Sequence, residues 1–235
     1  MQLPEEINVT EQMVDISNLS DKQSTYYHKL ADELSSKYFE LGKGRQVFTL
    51  SGPPGSGKSV VSAILNYIYS QEASFIFLNV GLDAFHYSNE ELIAQELLDH
   101  KGRYDTYDLS LLLSKLEKFI NGQKVTFPYY SREEHNPVPD SLSVAGKDVL
   151  LLLEGQWLLL DRPDWSKVST YSSFNLYVEG DEEAMKENVI RRHMAGGRSA
   201  DNASSFFAKN DLQNTKEVRK YSADPDKKVL FYKDI

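Results

Sequence analysis

The chain has 235 residues, 40% of them hydrophobic, which is enough for one large α/β domain or at most two small ones. Its 26 Lys and Arg against 35 Asp and Glu give a formal net charge of −9. The surface as a whole therefore repels nucleic acid and anionic membranes, and we expect neither as a partner. The absence of cysteine excludes disulfides, Cys-ligated zinc and a thiol nucleophile.

The first residues of the chain favour a cytoplasmic protein. "MQLPEEINVTEQ" carries acidic residues where a signal peptide has a basic region followed by an apolar one. The longest apolar run, 149–160, is too short to span a bilayer and contains Glu154. A chain without cysteine also fits a reducing compartment.

Residues 1–44 are predicted to form an N-terminal segment packed on the main domain. A polar lead is followed by a helix over about 22–41, which Gly42 and Gly44 end. The helix has one apolar stripe of residues spaced by four, namely Tyr26, Leu30, Leu34 and Tyr38. An exposed face of this helix could serve a homodimer.

Residues 45–235 are predicted to form a single domain in which strands alternate with helices. The predicted strands are 45–51, 74–80, 149–154, 174–180 and 227–232. One predicted helix begins near Ser59, and three more cover 89–101, 108–122 and 181–197. The helix over 108–122 has an inner face formed by Leu109, Leu112, Leu113, Leu116 and Ile120. This alternation predicts a three-layer α/β/α fold around a mostly parallel five-stranded sheet. Residues 123–147 hold three prolines and no long periodic run, so we expect a loop there.

A glycine-rich segment carries the strongest functional signal. Gly52-x-x-x-x-Gly57-Lys58-Ser59 has the full Walker A spacing between a predicted strand and a predicted helix, which disfavours a chance glycine-rich turn. Its backbone amides would hold the phosphates of a nucleoside triphosphate at a helix N-terminus. The predicted ATP-binding residues are Gly52, Gly55, Ser56, Gly57, Lys58, Ser59 and Val60.

The remaining motifs favour a kinase over other P-loop proteins. "EGQW" (154–157) and "AKND" (208–211) fit neither GTPase motif, and Glu154 lacks the acidic partner typical of motor ATPases. A small-molecule kinase needs a carboxylate that orients the attacking hydroxyl. Asp83 follows the second strand, where ligands bind in open parallel sheets, although a turn-forming Asp is the alternative. Glu154, with Ser59, would hold Mg²⁺.

Arginines around a Gly-Gly pair predict a lid over about residues 186–212. Such cations offset charge on a moving phosphoryl group, although each arginine alone could be a solvated surface residue. Arg191 and Arg192 are adjacent, so we expect at most one of the two to point inward.

Seven motifs in order resemble one kinase group. They are "GPPGSGKS" (52–59), "LDAFHYSN" (82–89), "KGRYDTYD" (101–108), "FPYYSREEHNPVPD" (127–140), "LLLEGQWLLLD" (151–161), "RRHMAGGRS" (191–199) and "NDLQN" (210–214). The chain resembles P-loop kinases of the uridine kinase, phosphoribulokinase and bacterial pantothenate kinase branch, including bacterial proteins named "putative fructose transport system kinase". The resemblance implies a P-loop NTPase fold with a small helical, arginine-bearing lid.

The same resemblance assigns roles to residues. It implies ATP and Mg²⁺, Asp83 as catalytic base, Lys58 and Ser59 in Walker A roles, and Arg192 and Arg198 as lid residues. It also implies an acceptor pocket lined by His86, Lys101, Tyr130, Arg132 and His135. From the residues alone, His86 could equally be a packing histidine, and Arg132 and His135 could equally lie in a solvated loop.

Three positions depart from the pattern of the group, and two of them lie in segments that would read the acceptor. Ala84 stands where the group usually has Gly, Asp105 where it has Glu, and Ser131 where many members have Asp. We therefore predict an ATP- and Mg²⁺-dependent phosphotransferase acting on a hydroxyl of a small nucleoside-, pantothenate- or sugar-like metabolite. The alternative is a nucleotide-gated binding module with little kinase activity.

Overall fold

The structure, a computed structural model, describes residues 2–9 and 11–230. Its strands and helices in chain order are β1 (Glu6–Val9), β2 (Gln12–Asp15), α1 (Asp21–Glu40), β3 (Arg45–Ser51), α2 (Lys58–Glu72), β4 (Ile76–Gly81), α3 (Asn89–Ala94), α4 (Leu109–Ile120), β5 (Thr126–Ser131), β6 (Asn136–Ser143), β7 (Val149–Glu154), α5 (Ser166–Ser169), β8 (Phe174–Glu179), α6 (Glu182–Ala195), α7 (Ala200–Phe206), α8 (Leu212–Tyr221) and β9 (Lys227–Leu230). Short 3-10 helices lie at Leu82–Phe85, Leu98–His100 and Tyr104–Thr106, and a π-helical turn, Phe207–Asp211, joins α7 to α8.

The centre of the fold is a five-stranded sheet with the order β4-β7-β3-β8-β9, and every pair of neighbours is parallel. Parallel strands covered on both faces are continuously apolar, and β7 is buried from Val149 to Leu153. The register places Leu50 and Gly81 on either side of Glu154, so β3, β7 and β4 end at one edge. The predicted five-stranded parallel sheet is confirmed, and ligands bind at this edge in such folds.

Two apolar clusters cover the two faces of the sheet. One face packs Phe48 and Leu152 against residues of α1 and α2. The other packs Val47 and Leu151 against residues of α4 and against Trp157. The three-layer α/β/α architecture is therefore confirmed. Among the described residues, the structure contains no helix that is both long and apolar enough to cross a membrane.

The N-terminal helix matches its prediction, but the lead before it does not. Ser20 caps α1 in a capping box with Gln23, and the predicted stripe is buried except for half-buried Tyr26. The expected polar lead is instead an antiparallel hairpin, β1–β2. Only Ile7 and Val9 of β1 are buried, and two inward residues are too short an alternation to stand out. The division at residue 44 and the lid bounds 186–212 stay predictions.

The segment 123–147 is not a loop. Its strands β5 and β6 pair antiparallel, with a register irregularity between Phe127 and Tyr129 where Pro128 interrupts the pairing. A two-stranded sheet tolerates prolines because each strand has a free edge where the missing amide is not needed. The three prolines that predicted a loop were therefore a misleading signal.

Two helices and the last strand differ in detail from their predictions. The helix expected over 89–101 ends at Ala94, and a separate 3-10 turn follows. On α4 the expected inner residue Ile120 is 40% exposed, and Phe119 is buried instead. Phe119 lies seven residues after Leu112, which continues the buried stripe on the same face. Strand β9 is described to Leu230, and residues 231–232 of the prediction lie outside the described residues.

Candidate active site

The phosphate loop connects β3 to α2 at the carboxyl edge of the sheet. Gly55 has φ +76°, and a Cβ there would lie 2.2 Å from the carbonyl oxygen of Met185, so only glycine fits. Gly57 is the N-cap of α2 in a left-handed conformation and offers no side chain to the first-turn amides. Those amides have no acceptor within the helix, so the N-terminus of α2 presents donors suited to an anion.

Lys58 begins α2 with its ammonium turned back on the loop. Its Nζ donates to the carbonyl oxygen of Pro53 at 2.9 Å. Burial lowers the pKa of Lys58 to about 8, although the carboxylates of Glu154 and Asp83 act in the opposite direction. A bound polyphosphate would offer this half-buried cation more favourable partners than one carbonyl oxygen.

Ser59 and Glu154 form a pair of potential oxygen ligands for a metal ion beside Lys58. The Ser59 hydroxyl donates to Glu154 Oε1 at 2.9 Å. Burial raises the pKa of Glu154, while Lys58 and Ser59 oppose that rise. A hydroxyl and a carboxylate are donors that Mg²⁺ accepts, and Mg²⁺ is commonly held by one or two side chains plus phosphate oxygens and water. Within the described residues, no group of three or more His, Asp or Glu could hold a metal alone, so the pair fits an ion shared with a nucleotide.

This pair carries a prediction about magnesium. Glu154→Gln removes the anionic oxygen, so we expect the Mg²⁺ concentration for half-maximal turnover to rise about tenfold or more. The measurement is ADP formation against Mg²⁺ at fixed ATP. Glu179→Gln is a matched control because Glu179 ends strand β8 of the same sheet and pairs with Lys228. An unchanged Mg²⁺ requirement in Glu154→Gln would remove Glu154 from the metal site.

Asp83 lies in the 3-10 turn that follows β4, at the same edge as Glu154. The Tyr107 hydroxyl donates to Asp83 Oδ1 at 3.2 Å, and the Asp83 side chain keeps 54% of its surface exposed. Desolvation alone would raise the pKa of Asp83, but His86, Arg132, Arg192 and the Tyr107 hydrogen bond together hold it below its ordinary value. Asp83 is therefore an ionised, accessible hydrogen-bond acceptor at neutral pH.

His86 is packed beside Asp83 rather than standing free in a pocket. Its Nδ1 lies 2.9 Å from the carbonyl oxygen of Thr106, which only accepts, so Nδ1 carries the proton. Its Nε2 lies 3.8 Å from Asp83 Oδ1. The ring stacks on Tyr107 at 3.8 Å between centroids, and burial lowers the pKa of His86 against the opposing effect of Asp83. The packing interpretation of His86 thus holds alongside its closeness to Asp83.

Lys101 joins the segments that would surround an acceptor. Its Nζ donates to Asn89 Oδ1 at 2.7 Å and to the carbonyl oxygen of His135 at 2.6 Å, and it lies 5.2 Å from the ring centre of Tyr130. His135 has φ +49° and an exposed side chain, so its contact in this network is made by its backbone. The structure therefore brings Lys101, Tyr130 and His135 together, but the Lys101 ammonium is already engaged by protein groups that connect these segments.

The phosphate loop opens into a cavity of about 280 Å³. It is lined by Val9, Gln12, Val14, Gly55, Gly57, Lys58, Ser59, Val60, Arg132, Asn188, Arg191, Arg192 and Ala195. Both Arg191 and Arg192 line it, and the Arg191 guanidinium also donates to Asn188 Oδ1 at 2.6 Å, so the expectation that at most one of the two points inward stays a prediction. Positions 188, 191, 192 and 195 form one broad stripe of α6, wide enough for two adjacent side chains to border a concave wall.

The other predicted lid residue is placed differently. Arg198 donates to His193 Nδ1 at 3.0 Å and lies 4.0 Å from the ring centre of Phe206. A His193 that accepts at Nδ1 carries its proton on Nε2, which donates to Asp211 Oδ2 at 2.8 Å. Arg198 is therefore held by His193 of α6 and Phe206 of α7, and it is not among the residues that line the cavity.

The two arginines should differ in their effect on turnover. Arg192→Met should lower kcat/KM about a hundredfold because it removes a cation from the cavity wall, whereas Arg198→Met should cost less than about tenfold. Steady-state kinetics of both variants tests this, with thermal unfolding to verify folding. An equal or larger loss for Arg198→Met would mean that Arg198 moves to the phosphates during turnover.

Sequence reasoning missed several residues of the site. Tyr107 lies inside a quoted motif, and its aromatic ring next to an acidic N-cap gave no sign of a bond to Asp83. Arg191 was not among the predicted site residues because its neighbour Arg192 was expected to be the lid residue of the pair. Val9, Gln12 and Val14 belong to the unpredicted hairpin, and nothing in their spacing points to a nucleotide.

A phosphate loop at the carboxyl edge of a parallel five-stranded sheet, with a Ser–Glu oxygen pair and a nearby ionised Asp, defines a P-loop kinase fold. The model of the phosphoribulokinase/uridine kinase family matches residues 47–224. This is more than half of the chain, and the protein belongs to that family.

Individual relatives agree with the family. The chain is 33% identical over 175 residues to the Escherichia coli K12 protein YggC, covering 74% of this chain and 73% of YggC. It is 32% identical over 206 residues to a Schizosaccharomyces pombe protein named "Putative uridine kinase C227.14", covering 83% and 88%. The crystal structure of a "putative fructose transport system kinase" from Silicibacter sp. TM1040 has a TM-score of 0.79 at 24% identity, covers 86% of this chain and 98% of that one, and supports the fold.

Proposed function

We propose that the protein is a kinase that transfers the γ-phosphoryl group of ATP, with Mg²⁺, to a hydroxyl of a small metabolite. The observation that carries this proposal is the position of Asp83 at the edge where Lys58 and the Ser59–Glu154 pair also lie. The charges of both carboxylates, Glu154 and Asp83, act to raise the pKa of Lys58, so the three groups interact electrostatically. A nucleotide site with no acceptor chemistry would not need an ionised, exposed carboxylate in that place.

The residues divide the work of phosphoryl transfer. Lys58 and the first-turn amides of α2 bind the phosphates, and Arg191 and Arg192 offset charge on the transferring group. Mg²⁺, when bound by Ser59 and Glu154, would neutralise further charge on the phosphate oxygens. Asp83 accepts the hydrogen bond of the attacking hydroxyl and aims its oxygen in line with the γ-phosphorus.

The lowered pKa of Asp83 bears on how the proton moves. A carboxylate with a pKa below its ordinary value is a weak base, so it orients the hydroxyl early in the reaction. In a loose transition state the hydroxyl loses its proton late, after its oxygen has begun to bond to phosphorus and become more acidic. Asp83 then receives that proton.

The experiment that tests the function is ADP release from Mg-ATP with and without a pool of hydroxyl metabolites. The pool contains nucleosides including uridine, pantothenate, glycerate, sugars and sugar phosphates, because proteins named uridine kinase and pantothenate kinase are among the relatives. We expect ADP release that depends on the pool in the wild type and is lost in Asp83→Asn. Dividing the pool then identifies the acceptor. Slow release that ignores both the pool and the substitution would favour a nucleotide-gated binding module instead.

A further inference from the structure

The hairpin β1–β2 borders the same cavity as the phosphate loop. Val9, Gln12 and Val14 line the cavity together with Lys58 and Ser59. The hairpin precedes the part of the chain that matches the family model, which starts at residue 47. The family match therefore says nothing of what these three side chains do.

The hairpin is attached at both of its ends. At its base, the Ile16 amide donates to the carbonyl oxygen of Glu5 at 2.8 Å, and Ile7 and Val9 are buried in the cluster formed with α1 and α2. At its tip, Glu11 adopts φ +67°, and its Oε2 accepts a 2.8 Å hydrogen bond from the Arg132 amide. The cavity wall is thus a fixed element rather than a loose terminus.

The chemistry of the wall differs from that of the loop. Valine side chains cannot bind phosphate, but they contact a ribose or a base favourably, and an amide such as that of Gln12 can both donate and accept hydrogen bonds. Alternation along β2 puts Gln12 and Val14 on one face and Met13, which is 59% exposed, on the other. The wall therefore suits the part of a nucleotide that lies beyond its phosphates.

We propose that the hairpin β1–β2 is a nucleoside-binding wall of the nucleotide site, with Gln12 and Val14 in contact with the nucleoside of a bound nucleoside triphosphate. This inference rests on the proposed function for the presence of ATP at the loop. It assigns ligand contacts to an element outside the matched region. It also accounts for a polar residue and an apolar residue of one strand lining the same cavity as the phosphate loop and the cations of α6.

The test compares two ligands that share their phosphates. Calorimetry measures binding of Mg-ATP and of inorganic tripolyphosphate with Mg²⁺ to the wild type, Val14→Ala, Gln12→Ala and Met13→Ala. Val14→Ala and Gln12→Ala should each weaken ATP binding about three- to tenfold and leave tripolyphosphate binding within about twofold. Met13→Ala, on the opposite face of the same strand, should change neither ligand.

Each other outcome overturns a stated idea. Unchanged ATP affinity in both Val14→Ala and Gln12→Ala, or equal losses for the two ligands, overturns the nucleoside wall and leaves the proposed function standing. Failure of the wild type to bind ATP overturns the proposed function and this inference together. Thermal unfolding monitors each variant, and Gln12→Ala keeps the test valid if Val14→Ala is destabilised, since Gln12 is exposed.

Discussion

Asp83→Asn should lower kcat by about a thousandfold while the dissociation constant of ATP stays within about twofold. The amide keeps the size of the side chain and can still accept a hydrogen bond from Tyr107, but it cannot receive the proton of the acceptor hydroxyl. In the proposed function Asp83 contacts the acceptor rather than the phosphates, so the loss should appear in the transfer step. The measurements are coupled ADP release at saturating acceptor and calorimetric ATP binding.

Asp99→Asn is the matched control for this substitution. Asp99, like Asp83, lies in the first turn of a short 3-10 helix and is exposed, but it is not among the groups that affect Lys58 or Glu154. Its turnover should match the wild type. If Asp83→Asn lost ATP binding and turnover in proportion, Asp83 would be a residue of the nucleotide site, and its role as acceptor-orienting group would be rejected.

The features that the sequence predicted well are those set by local pattern. A buried strand, a glycine-rich turn and a helix start follow one another between residues 45 and 72, and each is determined by the residues within it. The rule that parallel strands end at one edge predicts from the sequence alone that Asp83 and Glu154 lie at the same edge. Their catalytic roles stay predictions.

The features that sequence reasoning missed depend on contacts between distant segments. Strand β5 was hidden by Pro128, and the pairing with β6 accommodates that proline through a register irregularity between Phe127 and Tyr129. The bond between Tyr107 and Asp83 depends on an isolated bridge that pairs His86 with Tyr107. The cavity wall depends on a hairpin whose first strand has only two buried residues. This hairpin lies beside the phosphate loop, which is about forty residues later in the sequence. None of these has a periodicity to detect.

Lys58→Met should weaken ATP binding about tenfold or more and lower kcat by at least about a thousandfold, because methionine fills the same space without the charge that meets the moving phosphoryl group. Burial lowers the pKa of this lysine to about 8 in the free protein, so its ammonium is partly deprotonated near that pH. Polyphosphate favours the charged form. Above about pH 8, ATP binding should therefore take up a proton, and the affinity should fall as the pH rises.

Proton uptake on ATP binding distinguishes the effect of the Lys58 charge from the effect of the side chain's size and shape. At about pH 8.5 the phosphates of ATP are already deprotonated, since a phosphate loses its last proton near pH 6. Calorimetry in two buffers of different ionisation enthalpy should show uptake in the wild type and in the control Lys186→Met, whose exposed lysine pairs with Glu183 on α6. Uptake should vanish in Lys58→Met. If it persisted there, another group would titrate near pH 8, and the ammonium of Lys58 would not be what the phosphates bind.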